Sequence, residues 1–125
     1  MNLGLDVSYK DTLKKEWARK VRSEMGKIAK CLPLVEAKVT YNPGGIAVSG
    51  EVTLMGMYAD GTGVYVTAST PSYHGLMFRT IKHMKDYTGG PNQWIRQPHV
   101  YSVEELAQTI KRGTYADEAV ESERA

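Results

Sequence analysis

The residue types best equipped for recognition chemistry crowd into one stretch, Phe78-Arg79-Thr80-Ile81-Lys82-His83-Met84-Lys85-Asp86-Tyr87-Thr88-Gly89-Gly90-Pro91-Asn92-Gln93-Trp94-Ile95-Arg96. It supplies aromatic faces (Phe78, Tyr87, Trp94), permanent cations (Arg79, Arg96), amides that both donate and accept (Asn92, Gln93) and a carboxylate (Asp86). Gly89 and Gly90 let backbone approach a ligand closely, and Pro91 stiffens the turn. A nucleotide calls for this set: an aromatic face for the base, amides or a carboxylate for base edges and ribose hydroxyls, and arginines for phosphate. A structural role competes with it, in which Tyr87 and Trp94 anchor the loop and Asp86 and Asn92 make turn bonds. The stretch as a whole favours ligand binding, because ordering so long a loop is costly and such loops often carry function.

Outside this stretch the chemical inventory is thin. Arg19 and Arg22 fall on a basic helix and form a candidate second phosphate site if that helix packs against a twin. Arg112 is a further candidate phosphate contact. Tyr65, Tyr73 and His74 could extend an aromatic platform with Phe78, although strand aromatics more often fill a core. His74, His83 and His99 show no metal-ligand spacing, and no cysteine cluster joins them, so no metal or other cofactor is expected. Cys31, the single cysteine, reads as a buried structural thiol. No nucleophile elbow and no Walker or dinucleotide fingerprint occurs. A His83–Asp86 couple is the one conceivable acid–base pair, and a non-enzymatic protein is the expectation.

The elements that must position these groups follow from periodicity. Asp11 can cap a helix running to about Lys30, with Leu13, Trp17, Val21, Met25 and Ile28 on one face. Val35, Ala37, Val39 and Tyr41 alternate with polar residues as one strand, and residues 42–45 form a turn. Residues 46–58 read as a long strand, with Gly50 and Gly56 marking a bulge or a close backbone approach. A hairpin turn at 59–63 leads to a strand with Val64, Val66 and Ala68 on one face. Residues 75–85 suit strand or helix, strand being favoured for the first half, and 86–98 reads as irregular loop. Ser102-Val103-Glu104-Glu105 is a capping box opening a final helix, with Gly113 as its stop. The fold class is therefore α+β: an antiparallel sheet of about four strands flanked by N-terminal and C-terminal helices.

Length and composition agree with one domain over residues 1–125, with residues 114–125 as an acidic tail, loose or partly helical. The chain has 125 residues, 42% hydrophobic and 24% charged, which suits a globular core. No apolar run is long enough to cross a bilayer, and the first residues lack the features of a secretory leader. One cysteine and no leader predict a cytoplasmic protein without membrane partners. The net charge of +2 does not by itself imply nucleic acid. The long helix and the tail carry opposite charge and could meet across a subunit boundary or stay separately solvated. The helix stripe and strand tyrosines predict a homo-oligomer.

The order of elements and the Asp86-Tyr87-Thr88-Gly89-Gly90-Pro91-Asn92-Gln93-Trp94 loop resemble a family of phage proteins that defeat the Thoeris immune system. The resemblance implies a homo-oligomeric sponge that binds cyclic ADP-ribose isomers made by bacterial TIR enzymes without degrading them. Some members also hold cyclic oligonucleotides at a separate site. It further implies contacts from Phe78 and Asn92 to the adenosine part, in the cytoplasm of a bacterial host. The competing expectation is a small nucleic-acid-binding or anti-CRISPR-like inhibitor acting through the basic helix. A hydrolase ranks last.

Overall fold

A computed structural model describes residues 11–42, 50–69, 75–86 and 91–115. The order is α1 (Asp11–Cys31), β1 (Leu34–Asn42), β2 (Glu51–Tyr58), β3 (Gly63–Ser69), β4 (Leu76–Ile81), β5 (Gln93–Ile95), a 3-10 turn (Pro98–Val100) and α2 (Val103–Thr114). The strands form one antiparallel meander in the order β1-β2-β3-β4-β5. The α+β layout with terminal helices is as expected, with five strands rather than about four.

Both helices lie on the same face of the sheet. The α1 stripe of Trp17, Val21, Met25 and Ile28 meets Val52, Leu54 and Tyr58 of β2, Val64 and Val66 of β3, and Leu106 and Ile110 of α2 in one core. Complete burial of each aliphatic side chain stabilises the fold by about 1.5–3 kcal/mol relative to exposure. The chain's own sheet therefore covers the α1 stripe, which no longer argues for an oligomer. At α2, the Ser102 hydroxyl accepts from the Glu105 amide at 3.1 Å and the Glu105 carboxylate accepts from the Ser102 amide at 3.0 Å, the reciprocal cap expected from the sequence.

Several local expectations change. The segment 86–98 is not wholly irregular: β5 forms inside it, held by Leu76↔Ile95, Met77↔Trp94 and Phe78↔Gln93 pairing with β4. A three-residue strand carries too little alternation to be seen alone and exists because β4 offers an edge. The ambiguous stretch is strand over Leu76–Ile81, paired to β3, and breaks at a turn where Lys85 adopts φ 64°. In β1 a bulge between Leu34 and Glu36 throws Val35 outward, 70% exposed. Gly56 makes room for this, since a Cβ there would lie 2.5 Å from Leu34 Cδ1 and 3.0 Å from the Glu36 carbonyl. Cys31 is exposed rather than buried, because α1 turns its core stripe away from it. The turn at 43–49, Tyr73, His74 and the tail from 116 fall outside the described residues.

Gly113 does not stop α2, which continues to Thr114. It is the point where α2 meets the sheet, and a Cβ there would lie 2.7 Å from both Phe78 Cε2 and Gln93 Oε1. Helix propensity favours alanine over glycine by about 1 kcal/mol, but the clash reverses the sign. Gly113→Ala is expected to lower stability by about 1–3 kcal/mol, seen as a lower urea midpoint at unchanged slope.

The Tyr58 phenol lies in the core 2.7 Å from Thr114 Oγ1, which can donate to the Ile110 carbonyl. Burial pushes its pKa from 10.0 up to about 12. The unfolded chain releases this proton first, so the contribution is fully present below about pH 10 and is lost as pH climbs through about 12. The difference corresponds to about 2–3 kcal/mol. Denaturant titrations across that window should show the decline in the wild type and a much flatter profile in Tyr58→Phe.

Candidate functional site

Alternation along the strands assigns every side chain to the helix-covered face or to the opposite one. The opposite face carries cross-strand rows set by the register. One row runs Lys38, Met55, Tyr65, Arg79, and the next runs Thr40, Thr53, Thr67, Met77, Trp94. A third joins Asn42, Glu51 and Ser69. Over the β1–β3 part of these rows lies a groove of about 410 Å³, with Glu36 at one corner and Met84 and Lys85 from the turn after β4 at its border. The volume falls within the span of small-molecule sites, about 300–1,000 Å³.

The groove floor is organised around the Glu51 carboxylate. Its Oε1 accepts from Thr53 Oγ1 at 3.0 Å and from Tyr65 Oη at 3.5 Å. Thr53 and Thr67 hydroxyls lie 3.4 Å apart, continuing the polar row. Desolvation raises the Tyr65 phenol above its ordinary value, and the nearby Glu51 charge adds to this. Tyr65 therefore stays a protonated donor at neutral pH. Its ring also receives the Arg79 guanidinium, 4.6 Å from the centroid.

Arg79 is only 4% exposed. Its Nη2 donates to the Asp86 carbonyl at 2.8 Å, while Asp86 Oδ2 accepts from the Lys82 amide at 3.1 Å. The two bonds close the turn at 82–86 and hold Met84 and Lys85 at the groove border. Arg79 Nη1 is buried without a hydrogen-bond partner among the described residues. The exposed His83 places its Nδ1 at 2.9 Å from the Met84 carbonyl.

The residues singled out from sequence divide between the two faces. Arg79 and Asp86 come together, and Trp94, 46% exposed, shares their face beside Met77. Phe78, 2% exposed, belongs to the core, and Gln93 opposite it donates from Nε2 to the Gly113 carbonyl at 3.2 Å. Asn92 is exposed just before β5, and Arg112 is exposed on α2. Tyr87, Gly89 and Gly90 lie outside the described residues. Arg19 and Arg22 do come together, with Lys15 and Tyr41, around a shallow depression of about 430 Å³ on the helix side. Sequence reasoning missed the groove residues Glu36, Lys38, Thr40, Asn42, Glu51 and Thr53. The available signal was the polar half of the β1 and β2 alternation, which reads as an ordinary solvent face.

Arg79→Ala removes the donor to the Asp86 carbonyl and the cation over Tyr65. Hydrogen bonds from charged groups contribute about 1.5–3 kcal/mol, so a stability loss of that order is expected. Hydrogen exchange at the Lys82 amide should accelerate more than exchange in β2, as the turn loses its tether. No protein-family model, curated protein or solved structure matches the chain.

Proposed function

We propose that the protein is a non-enzymatic binding module that sequesters a cyclic nucleotide signal, with the groove on the helix-free sheet face as its site. The observation that carries this reading is the Glu51 carboxylate set between the Thr53 and Tyr65 hydroxyls on the floor of the groove of about 410 Å³. A carboxylate so placed suits ribose hydroxyls, with Thr40 and Asn42 as further partners. Lys38 and Lys85 supply cations for phosphate, and Met55, Met84 and the Tyr65 ring supply polarizable surface for a base. These contacts stabilise a bound ground state directly, whereas an enzyme gains rate only from contacts stronger in the transition state. Cyclic ADP-ribose isomers are the ligand class implied by the resemblance in residues 86–94. Held in a bacterial host's cytoplasm, such a signal would no longer reach its effector, and antiphage defence would fail.

One observation favours a second reading. Lys15, Arg19 and Arg22 share a depression with Tyr41, a cationic surface with one aromatic face that suits a phosphate backbone. Salt separates the two. Backbone-driven nucleic-acid binding falls steeply as salt rises, while a groove using a carboxylate and hydroxyls loses far less.

The test mixes stoichiometric protein with a cyclic ADP-ribose isomer, follows binding by calorimetry, then denatures the protein and chromatographs the ligand. Intact ligand is the expected recovery. Glu51→Gln should weaken binding by about one to two decades, the loss typical of a buried hydrogen-bond partner. Lys85→Gly should also weaken it while leaving stability unchanged or slightly higher, because glycine accepts φ 64° without strain. Multiple turnovers to a linear product, or unaltered binding in both variants, would overturn the reading.

A further inference from the structure

The sheet ends in two unequal edges. β5 is three residues long, whereas β1 presents nine, and among the described residues no strand pairs with its outer edge. Such an edge is a template for another strand. Leu34 packs against the core, but Val35 beyond it is 70% exposed and Ala37 is exposed too, so apolar side chains beside this edge stay uncovered among the described residues. We propose that β1 pairs antiparallel with β1 of a second copy about a two-fold axis at Ala37, joining two sheets into one and completing the outer wall of the groove.

Symmetry and charge select that register. Directly opposite residues in an antiparallel pair alternate between two hydrogen-bonding classes, so a two-fold axis between identical strands must fall on a residue opposed to itself. An axis at Glu36 would set carboxylate against carboxylate, and one at Lys38 ammonium against ammonium. An axis at Ala37 sets Glu36 of each copy against Lys38 of the other, twice, and Val35 of each against Val39 of the other. Opposite residues share a sheet face, so both Glu36–Lys38 pairs lie on the groove face. Lys38 and the bulge at Val35 discourage indiscriminate edge pairing, while the alternation of Glu36 and Lys38 makes the edge complementary to itself.

The same pairing also shapes the groove. Its outer wall consists of the groove-face residues of β1, Glu36, Lys38, Thr40 and Asn42. In the paired form the second copy continues the sheet beyond that wall, and its Glu36 and Lys38 border the first copy's groove. The two grooves then open on the same side of one sheet. This pairing stands whatever ligand the groove takes.

Sedimentation at micromolar concentration tests it, with circular dichroism reporting the fold of each variant. The wild type should sediment as a dimer. Lys38→Glu and Glu36→Lys should each lose the dimer, because each sets like charges across the axis. The double variant Glu36→Lys/Lys38→Glu should recover it, since exchanging both charges restores complementarity. Val35→Asp changes a side chain that is already exposed, so it should keep the fold and lose the dimer. A monomeric wild type, a dimer that survives Lys38→Glu or Val35→Asp, or a folded double variant that stays monomeric would overturn the proposal.

Discussion

Two helices pack on one face of a five-stranded meander, and alternation along the strands divides everything else in the molecule. A residue on the covered face must fill the core, while its neighbour in sequence must serve the other side. Val52, Leu54, Val64, Val66, Leu76 and Phe78 accept the first duty and are essentially buried. Glu51, Thr53, Tyr65, Thr67 and Arg79 take the second. Because the helices seal only one face, the polar rows on the other remain available to form a site, and their spacing is fixed by backbone pairing rather than by loop geometry.

Within that frame a buried arginine is the feature that departs from ordinary packing. A guanidinium removed from water is costly unless its donors and charge are accommodated. Arg79 meets this demand in part, with the Asp86 carbonyl and the Tyr65 ring, while its Nη1 is left without a hydrogen-bond partner among the described residues. Both partners belong to the groove's supports: Asp86 closes the turn that sets Met84 and Lys85 at its border, and Tyr65 reaches Glu51 on its floor. One side chain thus couples the geometry of the turn to the geometry of the floor. The close approach at Gly113 does similar work on the covered face, bringing α2 onto Phe78 and Gln93 and so fixing β5 beside β4.

The amino-acid sequence by itself determined the elements whose causes are local. The stripe Trp17, Val21, Met25 and Ile28 can only be one face of a helix, the Ser102–Glu105 box starts α2, and the Asp60-Gly61-Thr62 turn, where Asp60 Oδ1 accepts from the Thr62 amide and hydroxyl, joins β2 to β3. The alternation in β2 and β3 likewise fixed which residues share a face. Only the tertiary structure decided what depends on pairing between distant segments. β5 exists because β4 offers hydrogen-bond partners, and Val35 leaves the core because the bulge and Gly56 shift the register. Phe78 and Arg79, adjacent in sequence and alike in their suitability for a nucleotide, are sent to opposite faces, so no single loop could gather both. The groove unites residues from β1, β2, β3 and the turn after β4, whose individual strands carry only the plain polar half of a period of two. A period names the face a side chain will take, but the neighbours on that face are chosen by strand order and register, which are properties of the folded chain.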